Sequence, residues 1–336
     1  MPQLIRPLRQ RIQLFAGLLA AVSLCANAVG PLPGMPRVGP LAAQAPGEFP
    51  TTDASALLAA PADDGPTLSR IRERGRIVLG YRQTAIPFSY VDGNDAPTGL
   101  AWAMCQRIVL ALQRELAMPE LRVTPVRVIE QMRAPMLRGE AIDIDCAPST
   151  VTAARARQVA FSLPYYASDI RLMVRQGSGI DSIDHLRGLR LAVVQGTTAE
   201  RIVRARHARA GFQLLMARDY ADAFRMLRER RAQALALDDV LLAGLRATSR
   251  TPDDFEIVGL PLSDRPEQYA LVLPKGDADF KARVDDVLAR MFRDGEMARL
   301  QQEWFQAAVP PYGHRLGIDP SADALALWES GAGIVE

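Results

Sequence analysis

The segment LRLAVVQGTTAERIVRARHARA, residues 189–210, decides the fold class of this chain. Its first part, Leu189 to Val194, is a mostly apolar run of strand length that is rich in valine and leucine, as a buried strand is. Gln195 and Gly196 then provide a turn, and Ala199 to Ala210 has the length and composition of a helix. A buried strand that leads through a short turn into a helix is the repeating unit of α/β folds. We therefore predict an α/β protein.

The same alternation continues on both sides of this segment. The runs with strand character are Ile77–Tyr81, Leu121–Val128, Ala141–Cys146, Ile170–Val174, Ala234–Leu237 and Tyr269–Leu273. The runs with helical periodicity are Leu100–Leu116, Gln131–Leu137, Thr152–Val159, Ala221–Arg230, Asp239–Leu245 and two helices within Ala278–Trp304. Strands and helices that alternate in this way predict mostly parallel sheets flanked by helices.

Length and composition exclude several classes of function. With 336 residues the chain is long enough for one large or two medium folding units. A net charge of +2 gives no basis for bulk electrostatic binding to nucleic acid. The three histidines are far apart in the sequence, and none belongs to a group with metal-ligand spacing. We therefore predict no nucleic-acid partner, no metal and no cofactor.

The N-terminus has the order of a secretory signal. Three arginines among the first eleven residues precede the apolar run Leu14 to Leu24, which is followed by the small-residue site Ala26-Asn27-Ala28. The apolar run is shorter than a bilayer-spanning helix needs, so a cleaved signal peptide over 1–28 is a better interpretation than an uncleaved membrane anchor. Residues 29–66 are dense in Pro, Gly and Ala and predict a disordered leader. We therefore expect an exported, periplasmic protein.

Export changes the interpretation of the cysteines. Removal of the signal peptide removes Cys25 and leaves Cys105 and Cys146. In an oxidising compartment two cysteines either form a disulfide or serve as two small buried apolar side chains. The sequence by itself leaves both interpretations open, because it cannot show whether the two Cα atoms lie within bonding distance.

Polar residues follow several of the predicted strands, at the positions where ligands bind in open α/β sheets. Arg82 follows the first strand, and Arg155 offers a planar guanidinium that suits a carboxylate. The turn Gly196-Thr197-Thr198 precedes a helix whose free N–H groups attract an anion. Asp238 ends an apolar strand, where its carboxylate either receives an ammonium group or caps the next helix.

Each of these residues also has an ordinary structural interpretation. Ser149 or Thr150 is predicted to cap the helix that contains Arg155. Arg133 and Tyr220, taken singly, are better explained by solvation and core packing than by ligand contact. Taken together, arginines, a helix start and a carboxylate at strand ends match a zwitterion that carries an additional negative charge. No G-x-S-x-G motif or nucleophile–base pair accompanies them, so we predict a site that binds a ligand without transforming it.

Motifs along most of the chain carry a family resemblance. In chain order they are Gly80-Tyr81-Arg82, Pro87-Phe88-Ser89-Tyr90, Arg133, Cys146 through Thr150 to Arg155, Gly196-Thr197-Thr198, Asp222 to Arg225, Asp238 to Gly244, Phe255 to Gly259, Trp304-Phe305 and Pro310-Pro311. From about Leu68 to Trp328 the sequence resembles the periplasmic glutamate/aspartate-binding proteins of the polar amino-acid transport family, family 3 of the solute-binding proteins of ABC transporters.

The resemblance implies the architecture and the partners. It implies a periplasmic-binding-protein type II fold, in which two mixed sheets flanked by helices form two lobes joined by two crossover segments that act as a hinge. Lobe one is expected over 67–170 and 274–330, lobe two over 171–273, and a tail over 331–336. The implied partners are a small amino acid and the ABC permease complex of the inner membrane, with the protein itself a monomer.

The resemblance also implies a role for each site residue. Arg155 takes the α-carboxylate of the ligand, with Thr150 beside it, and Asp238 takes the α-ammonium group. The Gly196-Thr197-Thr198 turn adds backbone donors from the second lobe. In the subgroup with acidic ligands, the side-chain carboxylate is held at two arginine positions, which here are Arg82 and Arg133.

Three departures from the subgroup pattern bear on the ligand. One serine of the subgroup is Pro148 here, and the serine three residues before Arg133 is Glu130, which is expected to repel an acidic ligand or to neutralise Arg133. A histidine of the subgroup is Tyr220, which we include among the predicted ligand contacts. The expected ligand is therefore an amino acid, with glutamate or aspartate preferred and a diacid, an amide or another polar amino acid still open.

The alternative function is an enzyme on the same fold. Cyclohexadienyl and arogenate dehydratases resemble these binding proteins, and such an enzyme needs an acid in the cleft that protonates a leaving hydroxyl group. Glu130 is the candidate for that acid in this sequence. Because similarity of fold is a weak argument for function, we predict a binding protein and not an enzyme.

Overall fold

The computed structural model describes residues 65–333. The predicted signal peptide, the predicted leader up to residue 64, and residues 334–336 lie outside this range. Within the described range, no helix is both long enough and apolar enough to cross a membrane.

Strands and helices alternate along the described chain as predicted. The strands are β1 (Arg76–Tyr81), β2 (Thr84–Ala85), β3 (Ser89–Val91), β4 (Pro97–Thr98), β5 (Arg122–Arg127), β6 (Ile144–Thr150), β7 (Ala160–Phe161), β8 (Tyr166–Ser168), β9 (Ile170–Arg175), β10 (Arg190–Val194), β11 (Gln213–Ala217), β12 (Ala234–Asp238), β13 (Phe255–Val258) and β14 (Glu267–Leu273). The α-helices are α1 (Pro66–Arg74), α2 (Leu100–Glu115), α3 (Arg133–Arg138), α4 (Ala153–Ala156), α5 (Thr198–Ala210), α6 (Tyr220–Arg228), α7 (Asp239–Ala247), α8 (Ala278–Arg293), α9 (Glu296–Phe305) and α10 (Ala322–Ala332). Short 3-10 helices cover Glu130–Met132, Ile183–Leu186 and Pro252–Asp254.

The strands form two large mixed sheets. The first sheet has the order β5-β1-β6-β14-β7, with β8 also paired to β14, and the second has the order β11-β10-β12-β9-β13. In the first sheet, β1 pairs with β5 and with β6 in parallel. In the second sheet, β10 pairs with β11 and with β12 in parallel. The antiparallel pairs come from β14 in the first sheet and β9 in the second. A small third sheet, β2-β3-β4, follows β1.

One strand does not follow the predicted lobe bounds. We predicted lobe two over 171–273, which includes β14, but β14 pairs with β6 through Tyr269↔Thr150 and Ala270↔Ser149 and so belongs to the first sheet. The chain has already left the second sheet when it forms this strand. Apolar residues occupy most of β14, so its sequence fits either sheet, and only the tertiary pairing assigns it.

The same pairing corrects the predicted helix cap. Ser149 and Thr150 do not cap a helix, because both belong to β6, where hydrogen bonding to β14 extends the strand. The cap is Thr152, whose Oγ1 accepts a hydrogen bond from the Arg155 N–H at 3.2 Å. The predicted helix over Thr152–Val159 is accordingly reduced to the single turn α4.

The C-terminal helix α10 was absent from the prediction. It extends into the predicted tail, because residues 331 and 332 are still helical. Trp328 Nε1 donates to the Tyr165 carbonyl oxygen at 2.8 Å, which ties α10 to the segment before β8. The helix is therefore part of the first-sheet side of the molecule.

A disulfide connects α2 to β6. It joins Cys105 and Cys146, whose Cα atoms are 6.1 Å apart, and both residues are fully buried. Of the two interpretations of these cysteines that the sequence left open, the structure has the disulfide. The bond ties a core helix to the strand that carries Asp145 and Ser149.

Candidate ligand-binding site

Strand ends from the two sheets meet around one small enclosed space, here called the central cavity. Pro148 and Thr150 lie on β6, whose seven residues are all buried. Asp238 ends β12, which runs parallel to β10 and therefore ends at the same edge of the second sheet. The lining residues are Arg133, Pro148, Thr150, Arg155, Thr197, Thr198, Tyr220, Asp238, Leu241 and Tyr269. The structure thus brings together all the predicted ligand contacts except Arg82 and Gly196.

Arg155 reaches both sides of the cavity. Its Nη1 donates to the Thr150 carbonyl oxygen at 2.8 Å, and its Nη2 donates to the Gly196 carbonyl oxygen at 3.0 Å. Both partners are uncharged, and burial lowers the pKa of the guanidinium. Arg155 therefore has no hydrogen-bonded anion among the described residues, and the carboxylates of Glu267 and Asp238 act on it without a hydrogen bond.

Arg133 is a second buried cation with uncharged partners. Its Nε donates to the Glu130 carbonyl oxygen at 2.7 Å and its Nη1 to Ser149 Oγ at 3.0 Å. Burial, together with the nearby charges of Arg155 and Arg82, lowers the pKa of Arg133 to about 9. The side chain still carries its proton at neutral pH, so it offers an anion a strong and poorly hydrated partner.

Arg82 lies outside the central cavity and is already paired. Its Nη1 and Nη2 donate to the two carboxylate oxygens of Asp145 at 2.6 and 2.9 Å, and its Nε is 3.3 Å from Glu130 Oε1. Burial alone lowers the pKa of Arg82, but these two carboxylates outweigh it and raise the pKa above its ordinary value. Each nitrogen atom of Arg82 therefore already faces a carboxylate of the protein, and Arg82 does not line the central cavity, which disfavours the predicted contact with a ligand carboxylate.

Asp238 supplies the negative charge of the cavity. It is buried, and its Oδ1 accepts no hydrogen bond from any described residue. Burial, with the nearby carboxylate of Glu267, raises the pKa of Asp238 to about 7. Asp238 stands directly before α7 but makes no capping bond, whereas Asp239 accepts from Ser168 Oγ at 2.6 Å. Of the two interpretations of Asp238, the structure therefore excludes the helix cap.

In the turn before α5, some of the backbone N–H groups already donate hydrogen bonds to side chains of the same segment. Thr197 Oγ1 accepts a hydrogen bond from the Glu200 N–H at 3.1 Å and caps α5, and Glu200 Oε2 reaches back to accept from the Gly196 N–H at 2.7 Å. The Gly196 N–H is therefore taken by the protein's own carboxylate, and the donor predicted at this position is occupied. Thr197 and Thr198 still line the cavity.

Gly196 has a packing role. Its φ is +82°, and a Cβ atom added there would come within 3.2 Å of the Gln131 backbone nitrogen. Gln131 precedes α3 on the first-sheet side, whereas Gly196 is in the turn between β10 of the second sheet and α5. A side chain at residue 196 would therefore make a tight contact with the opposite side of the cavity, which glycine avoids.

The sequence alone did not identify Asp145, Leu241 and Tyr269 as parts of this region. Asp145 offered a signal, because a carboxylate inside an otherwise apolar strand needs a buried cationic partner. Leu241 and Tyr269 offered none, since their apolar surroundings are those of ordinary core residues. Within the described range no cluster of His, Cys, Asp and Glu residues is arranged to hold a metal ion.

Comparisons with known proteins agree with this geometry. Residues 77–307 match the family model of the bacterial extracellular solute-binding proteins, family 3. The chain is 34% identical over 268 residues to a glutamate/aspartate import solute-binding protein of Salmonella typhimurium, which covers 79% of this chain and 88% of the relative. It is 35% identical over 289 residues to an L-glutamate/L-aspartate-binding protein of Pseudomonas aeruginosa, which covers 84% of this chain and 95% of the relative.

Solved structures show the same fold. A crystal structure of a mutant of ArgBP from T. maritima matches with a TM-score of 0.64 and 26% identity, over 71% of this chain and 99% of that chain. The match, together with the two mixed sheets and their flanking helices, confirms the predicted two-lobed α/β fold.

Proposed function

The chain belongs to the bacterial extracellular solute-binding proteins, family 3, and from that membership we propose that it captures an amino acid with an acidic side chain and delivers it to an ABC importer. The relatives named above are import and binding proteins for glutamate and aspartate. They are not enzymes, in agreement with the prediction made from the sequence. The chain is accordingly an amino-acid-binding receptor of a transport system.

The charge balance of the central cavity carries the proposal. Arg133 and Arg155 have only uncharged hydrogen-bond partners among the described residues, and Asp238 has an oxygen atom without a partner. Two cations and one anion form the complement of a ligand with two anions and one cation. An acidic amino acid in its ordinary ionisation state has that set of charges.

Each charge has a proposed partner. Arg155 binds the α-carboxylate of the ligand beside Thr150, and Asp238 binds the α-ammonium group. Arg133 binds the side-chain carboxylate. Thr198 and Tyr220 complete the wall of the cavity.

Arg82 receives a different role from the one the sequence suggested. It holds Asp145, and Ser149 Oγ links Asp145 Oδ2, at 3.4 Å, to Arg133 Nη1, at 3.0 Å. Arg82 is therefore proposed to position Arg133 through this chain of hydrogen bonds, without touching the ligand.

Closure of the two lobes is proposed to complete the site. Through its bonds to Thr150 in β6 and to Gly196 in the turn after β10, Arg155 connects the two sides of the cavity. An open state breaks the bond to Gly196 and leaves Arg155 on the first-sheet side, where it meets an incoming carboxylate. Ligand binding then favours the closed state, because only there do residues from both sheets contact the ligand.

The alternative as a dehydratase has less support. Such an enzyme requires Glu130 to donate a proton to a leaving hydroxyl group. The Glu130 carboxylate instead forms an ion pair with Arg82 and is not among the residues that line the central cavity. Together with the binding function, we propose that the protein is located in the periplasm and is a monomer.

The test is calorimetric titration of the purified protein after bound amino acids have been removed by unfolding and refolding. We expect one-to-one binding of L-glutamate or L-aspartate, and loss of that binding in Arg155→Ala. Absence of heat with every polar amino acid tried would overturn the proposal, and turnover of prephenate or arogenate would favour the dehydratase.

A further inference from the structure

Glu130 is a buried carboxylate that pairs with Arg82 and lies outside the set of residues that line the central cavity. The residue is only 3% exposed, and its Oε1 is 3.3 Å from Arg82 Nε. Its Oε2 is buried and accepts no hydrogen bond from any described residue. One oxygen atom of this carboxylate, Oε1, therefore pairs with Arg82, and the other, Oε2, has no hydrogen-bond donor within the described range.

The pairing around Arg82 does not cancel this charge. Asp145 already accepts hydrogen bonds from both terminal nitrogens of Arg82, so one guanidinium faces two buried carboxylates. The trio carries a net charge of −1, and Glu130 is the member with an oxygen to spare. A glutamine at residue 130 would leave a neutral Arg82–Asp145 pair.

The negative charge is close enough to act on the cavity. The Glu130 carbonyl oxygen accepts a hydrogen bond from Arg133 Nε at 2.7 Å, so the two residues are in one turn of the chain. Tyr220, which lines the cavity, has its pKa raised first by burial and next by the charge of Glu130. The charge of Glu130 therefore lies within one turn of the chain from Arg133, the proposed partner of the ligand side chain, and it acts on Tyr220 in the cavity wall.

We propose that Glu130 determines the side-chain selectivity of this site by making it accept the amide of an acidic amino acid nearly as well as the acid itself. A side-chain carboxylate offers only acceptors, and it gains from Arg133 while it is repelled by Glu130. A side-chain amide offers the same acceptor to Arg133 but carries no net charge, so the nearby Glu130 does not repel it. The inference rests on the proposed function, because it assumes that an amino acid occupies the cavity.

The experiment compares the dissociation constants of L-glutamate and L-glutamine, and of L-aspartate and L-asparagine, for wild type and Glu130→Gln. In wild type the better acid and its amide should bind within about tenfold of each other. In Glu130→Gln the ratio should move toward the acid by about tenfold or more, since one like charge has been removed from a desolvated site. Glu130→Ser provides a second variant with the same expected direction.

The matched control is Glu140→Gln. Glu140 also pairs with an arginine, Arg70, but it is exposed and lies away from the cavity. Its substitution should leave the acid-to-amide ratio within about twofold of wild type.

The outcomes separate the two proposals. If wild type binds none of the four amino acids, the proposed function fails. If wild type binds the acid more than about a hundredfold better than its amide, the inference about Glu130 is overturned while the proposed function stands, whether or not the variants fold. An unchanged ratio in a folded Glu130→Gln or Glu130→Ser protein overturns it as well.

Discussion

Arg155 donates a hydrogen bond of 3.0 Å to the Gly196 carbonyl oxygen and thereby joins the two sides of the central cavity. Arg155 lies in α4, directly after the β6 strand of the first sheet, and Gly196 is in the turn before α5 of the second. The same guanidinium that is proposed to bind the ligand α-carboxylate thus also holds the lobes together. In the proposed function, ligand capture and lobe closure are coupled through this one side chain.

Arg155→Ala should nearly abolish ligand binding. Loss of one partner of a charge-assisted pair in a closed cleft typically costs about 2–5 kcal/mol of binding free energy. Calorimetry with L-glutamate measures the effect, and Arg157→Ala, an exposed arginine two residues away, is the control. Equal affinities of the two variants would contradict the role of Arg155.

Gly196→Ala should weaken binding because the new Cβ would press on Gln131 across the cavity. We expect affinity to fall by about tenfold, with a smaller shift in the melting temperature of the ligand-free protein. Gly276→Ala is the matched control, since its φ of +88° gives similar backbone strain but no atom lies within 4 Å of the added Cβ. If both variants lose affinity alike, backbone strain and not the contact with Gln131 is responsible.

Ligand affinity should increase as the pH rises from about 5.5 to 8. The pKa of Asp238 in the free protein is about 7, so its carboxyl group is protonated below that value and cannot pair with the ligand ammonium group. Binding below pH 7 must therefore release a proton, which calorimetry in buffers of different ionisation enthalpy detects. Asp238→Asn should remove this pH dependence along with most of the affinity.

The carboxyl group of Asp238 should make the ligand-free protein less stable as the pH rises, whereas it makes ligand affinity increase. Because folding raises its pKa from 3.8 to about 7, the folded state holds this proton more tightly than the unfolded state. The contribution of Asp238 to the free energy of unfolding is therefore greatest below pH 3.8 and is lost as the pH rises through 7. Asp238→Asn should thus stabilise the free protein at pH 8, in urea unfolding experiments, while it weakens binding.

Arg82→Met should affect stability more than affinity. The substitution leaves the carboxylates of Asp145 and Glu130 buried without their cation, which is expected to cost about 3–5 kcal/mol of the free energy of unfolding. Urea unfolding measures this cost. Arg127→Met removes only a half-exposed ion pair with Asp219 and should cost less than about 1 kcal/mol. A stable Arg82→Met protein that binds no ligand would instead restore Arg82 as a ligand contact.

Reduction of the Cys105–Cys146 disulfide should lower the melting temperature. The bond closes a loop with a sequence separation of 41, for which chain entropy predicts about 3–4 kcal/mol of stabilisation. Thermal unfolding with and without dithiothreitol measures the difference, and the Cys105→Ser/Cys146→Ser double variant should not respond to the reductant. Free thiols at Cys105 and Cys146 in unfolded wild-type protein that has not been reduced would show that the bond does not form in solution.

The sequence by itself determined the fold class and most of the elements. Apolar runs of strand length and helices of regular period are properties of near neighbours in the chain, so local pattern alone assigns Ile77–Tyr81 and Leu189–Val194 as strands. Motif order also identified the family and most of the residues that line the central cavity. The helix cap at Thr152 and the placement of β14 were missed, because a long-range antiparallel pairing overrides the local signal at Ser149 and Thr150.

Only the tertiary structure decided how the charges pair. Arg82 and Asp145 are 63 residues apart, and Arg155 and Gly196 are 41 apart, so no local pattern in the chain shows that either pair is in contact. The sequence contains several arginines and carboxylates that could pair in many ways. Burial selects among these pairings, because an unpaired charge in the protein interior costs free energy. That selection assigned Arg82 to Asp145 and Glu130 and left Arg133, Arg155 and Asp238 facing the cavity.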